Sequence, residues 1–312
     1  MKASVVLCTH HPRPSYLERA LAALQAQTLS KDQWEILLID NASTPPVADR
    51  FDLSWHTGAR KLVEGKLGKL NAWLLGIAES KGEILVFVDD DNVLSRDYLE
   101  RSLTISVQYP FLGAWGGSCL PEYEIPLPGW VGKEVWRLTV CEIKEDVWSN
   151  LRDIFTTFPV GAGMCIRREV GRRYTEWCDH NTHGRLLDRS GKGLGGYGDM
   201  DLNQCAMDIG LGTGRFAQLT LTHLIPAARL SLEYFVRHAE GDAASLILYL
   251  AIRGLPFRDV ARQTLLNKLI WKLYCWKHGV PVEQRKIREA HSRGLRRGLQ
   301  LAEDYLKAAN NK

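Results

Sequence analysis

Three consecutive carboxylates, Asp89, Asp90 and Asp91, follow the run 84–88, which contains no charge and no strand breaker. Such a run predicts a strand that is buried on both faces of a sheet. Packing three negative charges together costs Coulomb energy, and a polyvalent cation offsets that cost. The triplet therefore predicts a strand end that binds a metal and the anionic ligand held by that metal.

Other residues capable of chemistry also lie at the ends of predicted elements. Asp40 and His223 each end a strand-like run, while Asp199 and Asp201 follow a glycine-rich stretch and open a helical pattern. Each has a structural alternative. Asp40 begins Asp-Asn-Ala-Ser, which forms turns in many proteins, and acids are favoured at helix N-termini by the helix dipole. A single histidine is also more often structural than a ligand.

The elements that must position these residues alternate between strand and helix. This alternation predicts an α/β fold with an open, mostly parallel sheet flanked by helices. Ligands on such sheets bind at the carboxyl ends of the strands. Strands are predicted at 4–8, 35–39, 61–63, 84–88, 112–118 and 215–222, with helices from Ser15, over 69–80, from the opener 94–97 and over 203–209.

The composition indicates a globular protein with a basic tail. The chain has 312 residues, of which 45% are hydrophobic and 24% charged, so it is not a disordered protein. No apolar run approaches the roughly 18 residues of a membrane span, and no export signal is recognised. Seven scattered cysteines without a CxxC pair indicate buried thiols in a reducing compartment rather than a zinc site or disulfide framework.

The ordered set of motifs resembles family 2 glycosyltransferases, which have the nucleotide-sugar-binding fold called GT-A. No single motif is specific, but together they cover about residues 3–237 in the order of the family. The matching segments are 5–9 with Arg13, 38–43, 82–91, 159–164, 187–189, 198–202 and 223–226 with Arg229.

The resemblance implies a division of the chain into two regions. Residues 1–237 would form the GT-A nucleotide-sugar-binding and catalytic domain, with a donor half at about 1–120 and an acceptor half at about 121–237. Residues 238–312 lie outside the resemblance and read as a basic, helical C-terminal region.

The resemblance also implies a role for each site residue. Asp91 would ligate Mg²⁺ or Mn²⁺ with help from His223, and Asp40 would hydrogen-bond a uracil or thymine ring, which favours UDP or dTDP. Asp199 would be the general base of an inverting transfer. The nucleotide-sugar side would comprise Thr9, Arg13, Asp40, Lys69, Asp89 and Asp90, and the acceptor side Gly198, Asp201 and Trp130.

Three positions depart from the family pattern. His10-His11 replaces the usual Tyr-Asn, Ala72-Trp73-Leu74 replaces Ala-Arg-Asn, and Gly198 stands where relatives usually have Glu. Lys69 or Asn71 would then take over a phosphate or ribose contact.

Two other functions remain open at this stage. Residues 87–94 also fit the pattern hhDxDxVL of haloacid-dehalogenase phosphatases, in which Asp89 would be a phosphorylated nucleophile. A catalytically inactive sugar-binding protein is the second alternative. The GxGxxG match at 191–196 follows no apolar strand, so a dinucleotide site is not expected.

The resemblance therefore implies a metal-dependent, inverting transfer of a sugar from a nucleoside diphosphate to a hydroxyl of a glycan or lipid-linked acceptor, in bacterial surface polysaccharide assembly. No nucleic-acid motif accompanies the basic tail. Trp271, Tyr274 and Trp276 lie beside lysines in that tail, so it is either packed on the catalytic domain or in peripheral contact with an anionic membrane. A cytoplasmic location, in part at the inner face of the membrane, is expected.

Overall fold

The computed structural model describes residues 1–47, 50–151, 155–180, 196–259 and 268–310. The chain divides into two compact units. The first contains Met1–Glu122, Thr139–His180 and Asp199–Ile225, and the second contains Tyr123–Leu138, Asn181–Gly198 and Pro226–Lys312.

The first unit is built on a mixed sheet, which has nine strands in the described part of the chain. The order is β3-β2-β1-β4-β8-β6-β9-β5, and β7 pairs with β9. The strands are β1 (Ala3–Thr9), β2 (Trp34–Asn41), β3 (Ala59–Glu64), β4 (Ile84–Asp89), β5 (Asn92–Leu94), β6 (Leu112–Tyr123), β7 (Val147–Ser149), β8 (Cys165–Arg167) and β9 (Gly212–Ile225).

Helices flank this sheet. They are α1 (Pro14–Gln25), α2 (Lys69–Glu79), α3 (Tyr98–Gln108), α4 (Arg168–His180) and α5 (Gly198–Asp208). The predicted α/β sheet is confirmed, and its parallel part consists of the neighbouring strands β3, β2, β1 and β4. The pairs β4–β8, β6–β8, β5–β9 and β7–β9 are antiparallel.

Three of the parallel strands, β1, β2 and β4, are buried on both faces, whereas β3 at the edge of the sheet is partly exposed. In β4, Val86 and Val88 pack into one apolar cluster, while Leu85 and Phe87 pack into a second cluster on the other face. Burial of each such side chain contributes about 1.5–3 kcal/mol. The first cluster includes Leu17 of α1, so each face of the sheet has its own helical cover.

The two predicted helix starts have different outcomes. The N-cap of α1 is Arg13, not Ser15, because Pro14 occupies the first helical position, where its missing N–H is tolerated. The predicted opener 94–97 directly precedes α3, which begins at Tyr98 with Asp97 as its N-cap. Only the first residue of that opener, Leu94, belongs to the short strand β5.

The described residues of the second unit from Leu232 onward are mostly helical. Its helices include α6 (Leu232–Ile252), α7 (Lys268–His278) and α8 (Val282–Asn310). Gly294 of α8 lies so close to α6 that an added Cβ would be 2.2 Å from the Glu240 carbonyl oxygen. No helix within the described residues is long and apolar enough to cross a membrane.

The boundary predicted after residue 237 differs from the division seen in the structure. That position lies inside the continuous helix α6, and the second unit resumes already at Pro226. It also contains Tyr123–Leu138, which the sequence analysis places in the acceptor half. An insertion of this kind has no local sequence signal, because it depends on long-range contacts.

We expect Gly117→Ala to destabilise the first unit. An added Cβ would lie 1.9 Å from the Leu219 carbonyl oxygen, where strands β6 and β9 approach each other. Overpacking typically costs about 1–3 kcal/mol, and backbone cannot move as a side chain can. Urea unfolding measures the loss, and Gly65→Ala is the control because nothing lies within 4 Å of its added Cβ. Equal unfolding free energies for the two variants would contradict this close approach.

Candidate active site

Parallel pairing brings three polar strand ends to one edge of the sheet. Thr9 of β1 is opposite Asp40 of β2, and Cys8 of β1 is opposite Asp89 of β4. The Thr9 hydroxyl donates a hydrogen bond to Oδ2 of Asp90, which follows β4 directly. The edge predicted to bind the donor is therefore formed by β1, β2 and β4.

Asp89 is held by a lysine from the start of α2. The Lys69 Nζ lies 2.6 Å from Oδ1 and 2.8 Å from Oδ2 of Asp89. The same Nζ is 5.0 Å from the ring centroid of Trp73, one helical turn further on. Lys69 thus neutralises one of the three carboxylates, and its predicted nucleotide-side position is next to the triplet.

The pKa of the Asp90 carboxyl group is shifted by its surroundings. Burial raises the pKa of Asp90 to about 7, the neighbouring Asp91 carboxylate adds to the rise, and the Thr9 hydroxyl opposes it. The negative charge at this strand end is therefore costly without a compensating cation.

Asp91 is placed against a residue far away in the sequence. The turn from β4 to β5 is closed by Asn92, whose Oδ1 accepts from the Asp89 backbone N–H and whose Nδ2 donates to Asp91 Oδ1. Strand pairing aligns Asn92 with His223 of β9. As a result, His223 Nε2 lies 3.3 Å from Asp91 Oδ2, and both side chains are largely buried.

These residues fit an open metal site rather than a closed cage. Within the described residues, no group of three or more His, Cys, Asp or Glu side chains has the arrangement of a metal site. Mg²⁺ is usually bound by one or two carboxylates with substrate phosphates and water completing its coordination. Mn²⁺ also accepts carboxylate and water ligands. Asp91 with His223 matches such a partial set, beside Asp90, whose negative charge is costly to bury.

Asp40 and Asn41 fix the loops beside this edge of the sheet. Asp40 is buried, and its two oxygens accept backbone N–H bonds from Ser43 (3.1 Å) and Val47 (2.8 Å). The Asn41 side chain bonds the backbone of Lys66 and Gly68. Asp40 therefore makes the turn contacts expected if its role is structural. Its contact with a base stays a prediction, since each carboxylate oxygen has a second lone pair.

Asp199 occupies the second position of α5 and belongs to the same unit as the triplet. Its Oδ2 accepts a hydrogen bond from the Gly161 N–H (3.1 Å), and its Oδ1 accepts from the Met200 N–H (2.9 Å). A Cβ added at Gly161 would be 3.4 Å from both Asp199 and Trp73. Gly161 therefore lies between Asp199 and Trp73, whose ring is near the Lys69 Nζ.

The remaining predicted residues have different surroundings. Asp201 is buried, and its Oδ2 accepts a hydrogen bond from the Trp177 indole at 2.8 Å. Arg13 is exposed and lies 5.3 Å from the ring centroid of Tyr16.

Gly198 and Trp130 belong to the second unit, where the Trp130 ring packs against Phe235 with centroids 5.1 Å apart. The 187–189 motif, and 191–195 of the glycine-rich loop, lie outside the described residues.

Sequence reasoning missed several positioning groups. No role was predicted for Asn92, although its side chain sets the turn that carries Asp91. The Gly161 N–H carries no side-chain signal at all. Trp73 did give a signal, because it stands where the family has Arg, and in the structure it is almost fully buried.

The chain is similar in sequence to a known protein family and to a curated relative. The sequence profile "Glycosyl transferase family 2" matches residues 4–170, which is more than half of the chain. The glycosyltransferase AglE of Haloferax volcanii is 26% identical over 158 residues, which are 50% of this chain and 50% of that protein. The chain thus spans about half the length of this curated relative.

Two similar solved structures carry nucleotide sugars. The mannosyltransferase PcManGT from Pyrobaculum calidifontis, solved with GDP-Man and Mn²⁺, has a TM-score of 0.54 at 18% identity, over 99% of this chain and 75% of that chain. TarS 1–349 from S. aureus, solved with UDP-GlcNAc, has a TM-score of 0.52 at 12% identity, over 99% and 92%. At these identities the likeness shows the fold, which is GT-A.

The phosphatase alternative is wrong for this chain. Its motif belongs on the first strand, whereas Asp89 ends β4, and the profile match covers the whole segment that contains the triplet. The matched residues, the GT-A fold and the acidic strand ends agree with one another: the chain belongs to glycosyltransferase family 2.

Proposed function

We propose that this protein is an inverting glycosyltransferase that moves a sugar from a nucleoside diphosphate to an acceptor hydroxyl. The observation that carries the proposal is the pairing of Asp91 with His223 in the same compact unit as Asp199. Asp91 and His223 suit the binding of a cation with a diphosphate, and Asp199 suits the removal of a proton from the acceptor. Inverting transfer needs both functions, because the acceptor attacks the anomeric carbon from the side opposite the leaving group.

On the donor side, Asp91 and His223 would hold Mg²⁺ or Mn²⁺. When bound, the cation would neutralise the charge that grows on the departing diphosphate. Lys69 keeps Asp89 in place through its double contact, and Thr9 anchors Asp90. These residues would therefore bind and orient the donor.

On the acceptor side, Asp199 would take the proton of the attacking hydroxyl. The Gly161 and Met200 N–H groups each engage one carboxylate oxygen, which fixes the orientation of the group. Each oxygen retains a further lone pair for the acceptor. Asp201 is buried against Trp177, so its proposed contribution is to hold α5 in position rather than to accept the proton.

The donor base is proposed to be uracil or thymine, recognised by Asp40. We expect UDP and dTDP with Mn²⁺ to raise the melting temperature more than GDP does, and Asp40→Asn to reduce the UDP shift. The buried carboxylate presents acceptors only, whereas an amide presents donors as well. A thermal-shift panel of nucleoside diphosphates and their sugars measures this, with Asp52→Asn as the exposed control.

This panel also tests the proposed function as a whole. Absence of any Mn²⁺-dependent stabilisation by a nucleotide or nucleotide sugar would overturn it. A larger shift with GDP than with UDP would overturn the base assignment alone, since one of the two similar structures contains GDP-Man and the other UDP-GlcNAc.

The proposed acceptor is a hydroxyl of a glycan or glycolipid, in bacterial surface polysaccharide assembly. A lipid-linked acceptor would place the reaction at a membrane surface, and the C-terminal helices have features suited to such contact. The Trp276 side chain is 87% exposed, next to Lys277, and Tyr274 is 49% exposed. Aromatic and basic residues on one helix favour the interface of an anionic membrane.

We therefore expect the wild-type protein to bind vesicles that contain an anionic lipid at low salt, and Trp276→Ala to weaken that binding several-fold. Co-sedimentation with vesicles of neutral and of mixed composition measures this. Trp148→Ala is the control, because Trp148 is a half-exposed tryptophan of the first unit. Equal binding to neutral and anionic vesicles, or an equal loss in both variants, would contradict the proposal.

A further inference from the structure

Two cysteines face each other across a backbone bridge of the first unit. Cys119 lies in β6, and Cys141 lies beside it in an isolated antiparallel bridge. The Cys119 N–H donates to the Cys141 carbonyl at 2.8 Å, and the Cys141 N–H donates to the Cys119 carbonyl at 3.0 Å. The two residues are therefore a directly opposed, hydrogen-bonded pair.

The Cα separation of this arrangement lies within the range that disulfides span. The Cα atoms of such a pair are about 5.5 Å apart, and their side chains are on the same face. Disulfides span Cα separations of roughly 4.4–6.8 Å. The register is also fixed by a neighbouring bond, in which Ile143 N–H donates to Ser118 Oγ at 2.8 Å. Both cysteines are thiols in the structure.

A third cysteine of the first unit, Cys165, is too far from Cys119 to compete with Cys141. Cys165 is aligned with Trp115, four residues before Cys119 in β6. At about 3.3 Å per residue, that places it roughly 13 Å along the strand from Cys119, beyond the reach of a disulfide.

We propose that Cys119 and Cys141 are a redox-sensitive dithiol, which a low-molecular-weight disulfide such as oxidised glutathione converts into a cross-strand disulfide. Cys141 is half-buried and Cys119 is fully buried, so Cys141 reacts first. Its sulfur attacks the small disulfide, the S–S bond breaks, and one glutathione leaves with the proton.

The second step closes the ring. The Cys119 sulfur attacks the Cys141 sulfur of the mixed disulfide and displaces the second glutathione, which takes the Cys119 proton. Two protein thiols are oxidised and one small disulfide is reduced to two thiols. The product covalently closes the segment 120–140, which includes Trp130, and an excess of a reducing thiol reopens it.

The test uses the full chain with Cys275→Ser, because Cys275 is the other half-buried cysteine and would form its own adduct. The protein is treated with oxidised glutathione, denatured, labelled with a maleimide and mapped as peptides without reduction. We expect two fewer labelled thiols than in the reduced sample, and one peptide pair that joins Cys119 to Cys141.

Single substitutions sharpen the result. Cys119→Ser should leave a glutathione adduct on Cys141, Cys141→Ser should leave Cys119 unmodified, and Cys165→Ser should leave the cross-link intact. Unchanged labelling, a cross-link to Cys165, or a stable adduct on Cys141 with Cys119 still reduced would each overturn the proposal. The peptide map of the parent protein decides the matter even if a substituted protein fails to fold.

Discussion

Replacement of Asp199 by Asn will lower the rate of sugar transfer by about 10²–10⁴-fold, the usual contribution of a general base. The amide keeps the size of the side chain and can still accept from the Gly161 N–H, so the site should keep its shape. It cannot take a proton from the acceptor hydroxyl. Release of nucleoside diphosphate from the best donor of the panel, with an excess of a hydroxyl acceptor, measures the effect.

Nucleotide binding separates this effect from misfolding. The thermal shift caused by UDP with Mn²⁺ should be the same in Asp199→Asn as in the wild type. Asp208→Asn is the matched control, since Asp208 ends the same helix α5 and should transfer at the wild-type rate. Unchanged transfer by Asp199→Asn would remove this residue as the base, and no transfer by the wild type with any donor would favour an inactive sugar-binding protein.

Replacement of Asp91 by Asn will abolish the part of the UDP thermal shift that depends on Mn²⁺. Asp91 pairs with His223 at 3.3 Å, and an amide is a much poorer ligand for a divalent cation than a carboxylate. Loss of several kcal/mol of charge stabilisation in the transition state corresponds to a fall in transfer of about 10²-fold or more. Thermal shift with and without Mn²⁺, followed by the transfer assay, measures both effects.

The control for this variant is Asp97→Asn. Asp97 lies just beyond β5 and pairs with Arg101 on the surface, so its loss should change neither quantity. His223→Ala should reduce the Mn²⁺-dependent shift in the same direction, because it removes the second proposed ligand. An Mn²⁺-dependent shift in Asp91→Asn equal to that of the wild type would show that the cation binds elsewhere.

The parallel half of the fold was predictable because its signals are local. Uncharged runs such as 84–88 specify strands buried on both faces, and the acidic residues after them fall at one edge once the strands are parallel. The alternation of strand and helix then leaves few possible orders and directions for the strands of the sheet. Asp40, Asp89 and Thr9 could therefore be assigned to one edge from the sequence.

The rest of the site depends on pairings that no local pattern encodes. No strand is predicted at 92–94, yet tertiary pairing of Asn92 with His223 makes these residues the short strand β5. Lys69 was expected to contact a phosphate or ribose, and its double contact with Asp89 could not be foreseen from spacing. The insertion of Tyr123–Leu138 into the second unit is likewise set by long-range contacts.

The alignment of Asn92 with His223 has a consequence for the order of folding. Asp91 and His223 are 132 positions apart, so their contact closes one of the long loops of the chain. Such contacts form slowly, because the entropy of loop closure is lost before the contact stabilises anything. During synthesis the acidic triplet emerges well before β9, and the nascent chain carries it without its histidine partner. The end of the site that is proposed to bind the metal is thus among the last parts of the first unit to mature.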